Sequence, residues 1–310
     1  MVSITHTDPK YDTYQANIDY LRLLEIKKFI FLNIDSLQIS IPLEKKMIND
    51  SDDFDLITPI NFQESTGNFI KENLQSIYEV LKTTNAVCFY IQTKDEINYN
   101  NEMIDSKRYR TNYYFNLLLS KEEIYSNKKR DARQRLRKAL KNIKVNITED
   151  IVSEEFYQNY ARISEENDFS EKYKFSLEQF NGFSSIKGIK YLELRSEGDF
   201  VAGGFFGLNH KEIDYLYAAG SERFRDNIRL LLWIAIEYFK DKGYEKLFLG
   251  GGIKEDDSLA EFKSRMGTYY QKCYTIMSIL DKEKAQKYAK KEVTKEWFNN
   301  FFPPYRDVMR

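Results

Sequence analysis

The sequence predicts an α/β protein with mixed sheets, formed by two lobes that pack directly against each other. Three observations support this prediction. The chain has 310 residues, about twice the length of a typical single domain. Strand-like and helical hydrophobic patterns alternate in both halves, and no glycine-serine linker separates them. We place the lobes at residues 1–148 and 149–280, followed by a helix and tail, residues 281–310, that pack back on the body.

The composition is typical of a globular protein in a reducing compartment. Apolar residues make up 42% of the chain and charged residues 31%, with a net charge of -1. No segment approaches the roughly 18 apolar residues of a spanning helix, and the N-terminus lacks the features of a signal peptide. Cys88 and Cys273 are predicted to be buried free thiols, and no metal-ligand spacing is present. We therefore expect a cytoplasmic protein without a metal or a transmembrane segment.

In the first lobe, strand patterns surround one clear helix. Residues 37–42 alternate as a half-buried strand does, and residues 70–82 place their apolar side chains on one helical face. A buried strand follows at 86–92, a polar loop is predicted at 95–110, and a further strand is predicted at 113–119.

A basic helix is predicted at residues 121–141. Between residues 128 and 144 the chain carries nine Lys or Arg residues and only one acid, Asp131. Such a density repels itself unless an anion compensates it. Arg133 and Arg137 lie one helical turn apart, so a bidentate phosphate clamp is feasible. The alternative is a solvated helix balanced by acids elsewhere.

The second lobe continues the alternation. Its predicted elements begin with helices at 156–164 and 177–183, a hairpin of strands at 189–194 and 201–208, and a strand at 213–219. A helix from about 228 to 242 follows, and then strands at 244–249 and 269–280 with a short helix at 259–267 between them. Beyond this lobe, a lysine-rich helix is predicted at 282–301.

The order of several motifs resembles the Fem family of peptidoglycan interpeptide-bridge aminoacyltransferases, which belongs to the GNAT superfamily of acyltransferases. The motifs are a tyrosine-rich strand ending in small residues (215–220), a leucine-rich helix, a strand leading into Gly250–Gly252, and Phe262-Lys263 followed by Gly267. The basic helix and the segment 55–60 match two further motifs of the family. The resemblance covers nearly the whole chain and implies two GNAT-like lobes, joined by the basic helix, with the last segments returning to the first lobe.

The resemblance implies that the strand at 214–219 is splayed and holds an acyl donor through main-chain groups. The following helix presents free N–H groups and a positive dipole end to a phosphate. The donor-binding candidates here are Ala218, Ala219, Gly220, Ser221, Arg225, Asn227 and Arg229. Because the loop has no glycine after Gly220, both acyl-CoA and aminoacyl-tRNA remain open as the donor. A charged loop that caps a core helix is the structural alternative.

Lys263 is the first catalytic candidate, because it matches the lysine of the family's Phe-Lys motif. It follows Gly250 and Gly251, which can let a substrate approach, and an ammonium there would stabilise an oxyanion. Tyr215 and Tyr217 are predicted to share one face of their strand, where a hydroxyl can donate to the oxyanion or relay a proton. The alternatives are a salt-bridged helical lysine and tyrosines that only pack.

Two roles on the acceptor side follow from the resemblance. Asp55 would accept the proton of the attacking amine, and Arg133 and Arg137 would bind the acceptor's phosphate. An aspartate in a turn before Thr58-Pro59 is the structural alternative for Asp55.

The resemblance therefore implies an acyltransferase that moves an acyl or aminoacyl group to an amine of a cell-envelope precursor, either of the peptidoglycan type or a nucleotide-linked amino sugar. Its partners would be a phosphate-bearing acyl donor and an amine acceptor, with tRNA and the inner membrane face as further candidates. The alternative is a catalytically silent GNAT-like module that binds RNA or membrane through the basic helix. The glycine-poor loop at 221–227 favours that alternative.

Overall fold

The computed structural model describes residues 1–59, 69–94, 103–252, 257–289, 292–299 and 301–309. The strands in this part of the chain are β1 (Val2–Thr5), β2 (Phe29–Ile34), β3 (Ile39–Met47), β4 (Phe54–Ile57), β5 (Cys88–Thr93), β6 (Ile104–Asn116), β7 (Asn146–Glu149), β8 (Ile189–Ser196), β9 (Asp199–Asn209), β10 (Glu212–Gly220), β11 (Lys246–Gly250) and β12 (Tyr269–Ile279). The α-helices in the same part are α1 (Ile18–Leu23), α2 (Phe69–Lys82), α3 (Lys121–Ser126), α4 (Arg130–Asn142), α5 (Glu154–Glu166), α6 (Leu177–Ser184), α7 (Asn227–Asp241), α8 (Ser258–Arg265) and α9 (Lys282–Tyr288). The predicted mixed α/β fold is confirmed.

The chain forms two compact units, one of residues 1–110 with 272–310 and the other of residues 111–271. The chain passes from one unit to the other within β6 and again within β12. These limits differ from the predicted lobes, because the predicted first lobe included the basic helix. In the structure α4 packs against α7 inside the second unit. The basic helix is therefore part of that unit and does not join the two.

The first unit contains a sheet in the order β1-β2-β3-β4-β5-β12. The strand β4 is parallel to β5, with α2 as the connection between them, and the other neighbours are antiparallel. Side chains of α2, such as Leu74 and Ile77, pack on Ile30, Leu32 and Phe89 of the sheet. This arrangement buries one face of the sheet under a single amphipathic helix.

The C-terminal tail packs on the first unit, as the resemblance implies. Trp297, Phe298 and Tyr305 share a buried cluster with Ile48 and Val87. The predicted helix at 282–301 was wrong in its length, because α9 ends at Tyr288 and the next residue has extended backbone angles. Burial of the tail's aromatic side chains outweighs the helix propensity of its lysines.

The second unit repeats the topology of the first. Strands β7 to β10 form an antiparallel run, α7 leads to β11 parallel to β10, and β6 lies antiparallel beside β11. In each unit the sixth strand comes from a distant part of the sequence. The predicted loop at 95–110 was wrong from Ile104 onward, where β6 begins, because main-chain pairing tolerates polar side chains. Residues 95–102 lie outside the described part.

The predicted basic helix at 121–141 is interrupted. Ser120 and Glu123 form a capping box at the start of α3, and α4 begins only at Arg130. The break lies at residues 127–129, where the main chain of Gly267 packs against Asn127 and Lys128. A continuous helix cannot accommodate that contact.

Candidate active site

Strands β10 and β11 separate from each other within the second unit's sheet. Their parallel pairing joins residues 212–214 to residues 246–248 and ends at Asp214 and Phe248. The strand β10 continues to Gly220 in register with β9. The opening between β10 and β11 is therefore the splayed strand pair that the resemblance implied.

Two β-bulges explain this divergence. In the pairing of β10 with β9 the register shifts at Leu216, and in the pairing of β11 with β6 it shifts at Leu249. A bulge adds one residue to one strand, bends that strand and increases its twist. Leu249 comes one residue after Phe248, and Leu216 comes two residues after Asp214. The two strands therefore bend just beyond the end of their pairing.

The bulge also places the two candidate tyrosines on opposite faces of the sheet. Tyr215 contacts Phe206, with ring centroids 5.7 Å apart, and packs in the α7-side cluster. Tyr217 contacts Phe175 and Phe183, at 4.8 Å and 5.6 Å, on the side of α6. The prediction that they share a face was wrong, because the extra residue Leu216 breaks the period of two. Burial raises the pKa of Tyr215, so its phenol stays protonated.

Lys263 reaches the end of β11 from the helix α8. Asp257 caps this helix, its carboxylate accepting a hydrogen bond from the N–H of Ala260 at 2.8 Å. The side chain of Lys263 is buried, with 7% of the residue exposed, and its Nζ donates to the carbonyl oxygen of Gly251 at 2.5 Å. A Cβ on Gly250 would lie 3.5 Å from the same Nζ. The structure thus brings three predicted site residues together beside the opening.

The end of α8 is held against the segment between α3 and α4. The N–H of Lys129 donates to the carbonyl oxygen of Arg265 at 3.1 Å. Gly267 has a positive φ of +78°, and a Cβ there would lie 2.5 Å from the main-chain nitrogen of Lys128. Only glycine combines this backbone angle with this approach. The glycine of the sequence motif is therefore required structurally, because it lets the helix that carries Lys263 pack closely against this segment.

Sequence reasoning missed the special position of Lys128. This residue is 2% exposed, and its Nζ donates to the carbonyl oxygen of Met266 at 3.0 Å. The ammonium lies over the rings of Phe115 and Trp233, at 4.5 Å and 5.4 Å from their centroids. Burial lowers the pKa of Lys128 to about 7, and the charge of Arg229 adds to this effect. The local sequence does not distinguish Lys128, which is buried, from the exposed basic residues that follow it.

The loop at 221–227 is filled by its own side chains. Asn227 donates from Nδ2 to the carbonyl oxygen of Ser221 at 2.6 Å, and its Oδ1 accepts from the N–H of Ile228 at 2.6 Å. A Cβ on Gly220 would lie 2.4 Å from the Asn227 side chain. Asp226 adopts the left-handed N-cap position of α7. An amide and a carboxylate therefore lie where a diphosphate would approach the helix start.

The predicted donor-site arginines have different surroundings. Arg229 donates to Asp226 at 3.2 Å and stacks over the ring of Phe262 at 4.6 Å, which links α7 to α8. Arg225 is exposed. Arg135 of the basic helix lies 3.7 Å from the same Asp226 carboxylate. The loop and the basic helix, which are about 90 residues apart in sequence, are thus neighbours.

The small residues at the end of β10 pair with residues of β9. Ala218 and Ala219 lie opposite Gly204 and Gly203. Ala219 is buried and Ala218 packs beside Leu231. Short side chains on both strands let α7 lie close to the sheet.

The basic helix does not present the predicted phosphate clamp. Arg133 donates from Nη1 to the carbonyl oxygen of Ser126 at 2.5 Å, which ties α4 to the end of α3. Arg137 is exposed. Because Arg133 already has a main-chain partner, the pair does not form two equivalent free guanidinium groups.

Asp55 is a buried hydrogen-bonding residue of the first unit. Its carboxylate accepts hydrogen bonds from Arg306 Nε and from the Tyr305 hydroxyl, both at 2.6 Å, and from the N–H of Cys88 at 3.1 Å. Burial raises the pKa of Asp55, while the Arg306 charge opposes that rise. The residue joins β4 to the C-terminal tail, so the expected role as a proton acceptor is not supported by its surroundings.

The described residues contain no group of three or more His, Cys, Asp or Glu side chains placed to hold a metal ion. None of the helices in the same ranges has the length and apolar character needed to cross a bilayer.

Solved structures share this fold at low sequence identity. A crystal structure of FemX matches with a TM-score of 0.65 and 14% identity, covering 91% of this chain and 95% of that one. The C-terminal domain of a putative lysylphosphatidylglycerol synthetase from Agrobacterium fabrum matches with a TM-score of 0.56 and 11% identity, covering 86% and 87%. The L-PGS from Bacillus licheniformis matches with 0.53 and 13%, covering 84% and 86%.

No protein-family model matches the chain, and no curated protein sequence matches it. The structural likeness therefore shows the fold alone. The chain shares the fold of FemX and of the lysylphosphatidylglycerol synthetase domain, so the Fem-like fold that the sequence motifs predicted is confirmed.

Proposed function

We propose that this protein is an aminoacyltransferase that joins an aminoacyl group from aminoacyl-tRNA to an amine of a cell-envelope precursor. The observation that carries the proposal is the opening between β10 and β11 with the Lys263 ammonium beside it. One fold relative, the C-terminal domain of a putative lysylphosphatidylglycerol synthetase, has a name that denotes attachment of a lysyl group, and this supports aminoacyl chemistry.

The reaction follows from this geometry. The acceptor nitrogen attacks the ester carbonyl carbon of the donor, a C–N bond forms, and the C–O bond to the tRNA ribose breaks. The amine loses a proton and the ribose hydroxyl gains one. The edge of β10 beyond Asp214 would align the donor's carbonyl group, and the Lys263 ammonium would stabilise the oxyanion.

The loop before α7 favours aminoacyl-tRNA over acyl-CoA. Close binding of a diphosphate needs free N–H groups and the positive end of the helix dipole. Here Asn227 occupies the turn over Gly220, and the Asp226 carboxylate lies at the N-cap. A donor held by side-chain charges farther from the loop suits these residues better, and the exposed Arg225 is available for it.

The test is a transfer assay with purified protein. Total tRNA charged with radiolabelled amino acids and, separately, labelled acyl-CoA are offered with a nucleotide-linked muropeptide and a nucleotide-linked amino sugar. We expect transfer from tRNA to one of these amines. We also expect Lys263→Met to lower turnover about 100- to 1,000-fold, while the exposed control Lys242→Met keeps full turnover.

The second candidate function is a binding module without catalysis. The filled loop at 221–227 is the observation that favours it. Saturable tRNA binding with no transfer from any donor would support this module, and transfer from acyl-CoA alone would support an amino-sugar acyltransferase instead.

A further inference from the structure

The helix α4 carries a one-sided basic surface that the transfer chemistry does not use. Its buried side consists of Ala132, Leu136 and Ala139, and the last two pack in the clusters of α7. The opposite side is exposed to solvent along the whole helix. We name as the α4 basic face the exposed residues Lys129, Arg130, Arg137, Lys138, Lys141 and Lys144.

These cations have no acidic partners within the described residues. Other basic residues of the same segment do: Arg135 lies near Asp226, and the only acid of the segment, Asp131, pairs with Arg265 at 3.1 Å. The protein as a whole is nearly neutral, at -1. Four of these unpaired charges lie on the helix and two lie beside its ends. Like charges so placed repel one another, and an external anion relieves that repulsion.

An exposed aliphatic side chain flanks the basic face. Leu140 is 40% exposed and follows Arg137 by three residues. Residues three apart are neighbours on a helix surface, so Leu140 lies beside Arg137 at the border of this face. After the helix, Ile147 and Ile151 are also exposed. Exposed aliphatic residues among cations are typical of helices that lie on a bilayer surface.

We infer that the α4 basic face docks the protein on an anionic lipid bilayer. Cations bind the lipid phosphates, and Leu140 enters the boundary between headgroups and acyl chains. The face suits lipid better than RNA, because α4 has no aromatic side chain that could stack on a base and an aliphatic group gains nothing from a phosphate backbone. The inference extends the proposed function, since a bilayer carries lipid-linked acceptors. Its test needs no transfer reaction.

The test is co-sedimentation of the full chain with phosphatidylglycerol-rich vesicles and with pure phosphatidylcholine vesicles. We expect binding only to the anionic vesicles and weaker binding as salt rises. The variant Arg130→Gln/Arg137→Gln/Lys138→Gln/Lys141→Gln should bind at least about 50-fold more weakly, because each cation near the surface changes binding about fivefold. The matched control Lys27→Gln/Lys172→Gln/Lys242→Gln/Lys282→Gln removes four exposed lysines elsewhere and should bind within about threefold of wild type.

A second pair of variants tests insertion. Leu140→Trp should show a blue-shifted emission with anionic vesicles, whereas Leu118→Trp, at a position that is 69% exposed outside this face, should not. The inference is overturned if the two quadruple variants bind vesicles equally, or if binding ignores lipid charge. It is also overturned if the α4 variant loses tRNA binding and the wild type binds no vesicles, since the face would then serve RNA. Loss of transfer with intact vesicle binding would instead count against the proposed function alone.

Discussion

The Nζ of Lys263 donates a 2.5 Å hydrogen bond to the carbonyl oxygen of Gly251, directly beyond the end of β11. A buried ammonium with this partner is fixed beside the opening of the sheet. Lys263→Arg keeps the charge but not the compact shape, so we expect it to restore little of the turnover that Lys263→Met loses. The two variants should show equal thermal unfolding in circular dichroism. Full activity in Lys263→Met would remove the ammonium from the mechanism, whereas full activity in Lys263→Arg alone would show that the charge is sufficient without the compact shape.

Gly267 seats α8 against the backbone of Lys128, so Gly267→Ala should destabilise the protein. Gly243 is a matched control, because its φ of +81° is close to the +78° of Gly267 and no atom lies within 4 Å of an added Cβ. We expect Gly243→Ala to cost about 1 kcal/mol from backbone strain alone. Gly267→Ala should cost about 1 to 3 kcal/mol more from the clash, measured by urea unfolding. Equal losses would contradict the close contact.

Lys128→Met should stabilise the protein at neutral pH. Because the pKa of Lys128 falls from 10.5 in the unfolded chain to about 7 in the fold, the unfolded state binds more protons between these values. The lysine therefore lowers stability as pH falls from about 10 to 7, and its effect is constant below 7. We expect the free energy of unfolding of Lys128→Met to exceed that of wild type by about 2 to 4 kcal/mol at pH 7. The difference should shrink toward pH 10, and a difference that is independent of pH would argue against burial of the amine.

The ion pair of Asp55 and Arg306 predicts that removing only the cation costs more stability than removing both charges. Arg306→Met leaves a buried carboxylate without its counter-ion and should cost about 3 to 5 kcal/mol. This loss should become smaller as pH falls, because Asp55 then takes up a proton. Asp55→Asn/Arg306→Met should be more stable at pH 7 than Arg306→Met alone. If the double variant is the less stable one, the carboxylate is not buried as described.

Features of the fold that depend on a local sequence pattern were predicted correctly, and features that depend on distant contacts were not. The strands from residue 189 to 220 and the helix α7 follow directly from hydrophobic period and turn residues. The faces of Tyr215 and Tyr217 were not predictable, since a bulge of one residue depends on main-chain pairing and leaves no mark in composition. Lys128 escaped notice for a similar reason, because its burial depends on Phe115, Trp233 and Met266, which are distant in sequence.

The site was predicted unevenly for the same cause. Lys263, Gly250 and Gly251 come together as expected, because they lie within 14 residues of each other on adjoining elements. The side-chain partners of Asp55, Tyr305 and Arg306, lie about 250 residues away in the tail. Such a pairing is fixed by the path of the whole chain, and no window of sequence around residue 55 contains it.

The passage of the chain between the units within β6 and β12 limits how the protein can be divided. A fragment cut after residue 110 would lose β12, the neighbour of β5, together with the tail that binds Asp55. A segment of residues 111–271, by contrast, is continuous and keeps β11 and its antiparallel neighbour in β6. During synthesis on the ribosome, the first unit is therefore complete only after the last residues have emerged. The second unit, which carries the candidate active site, can fold before then.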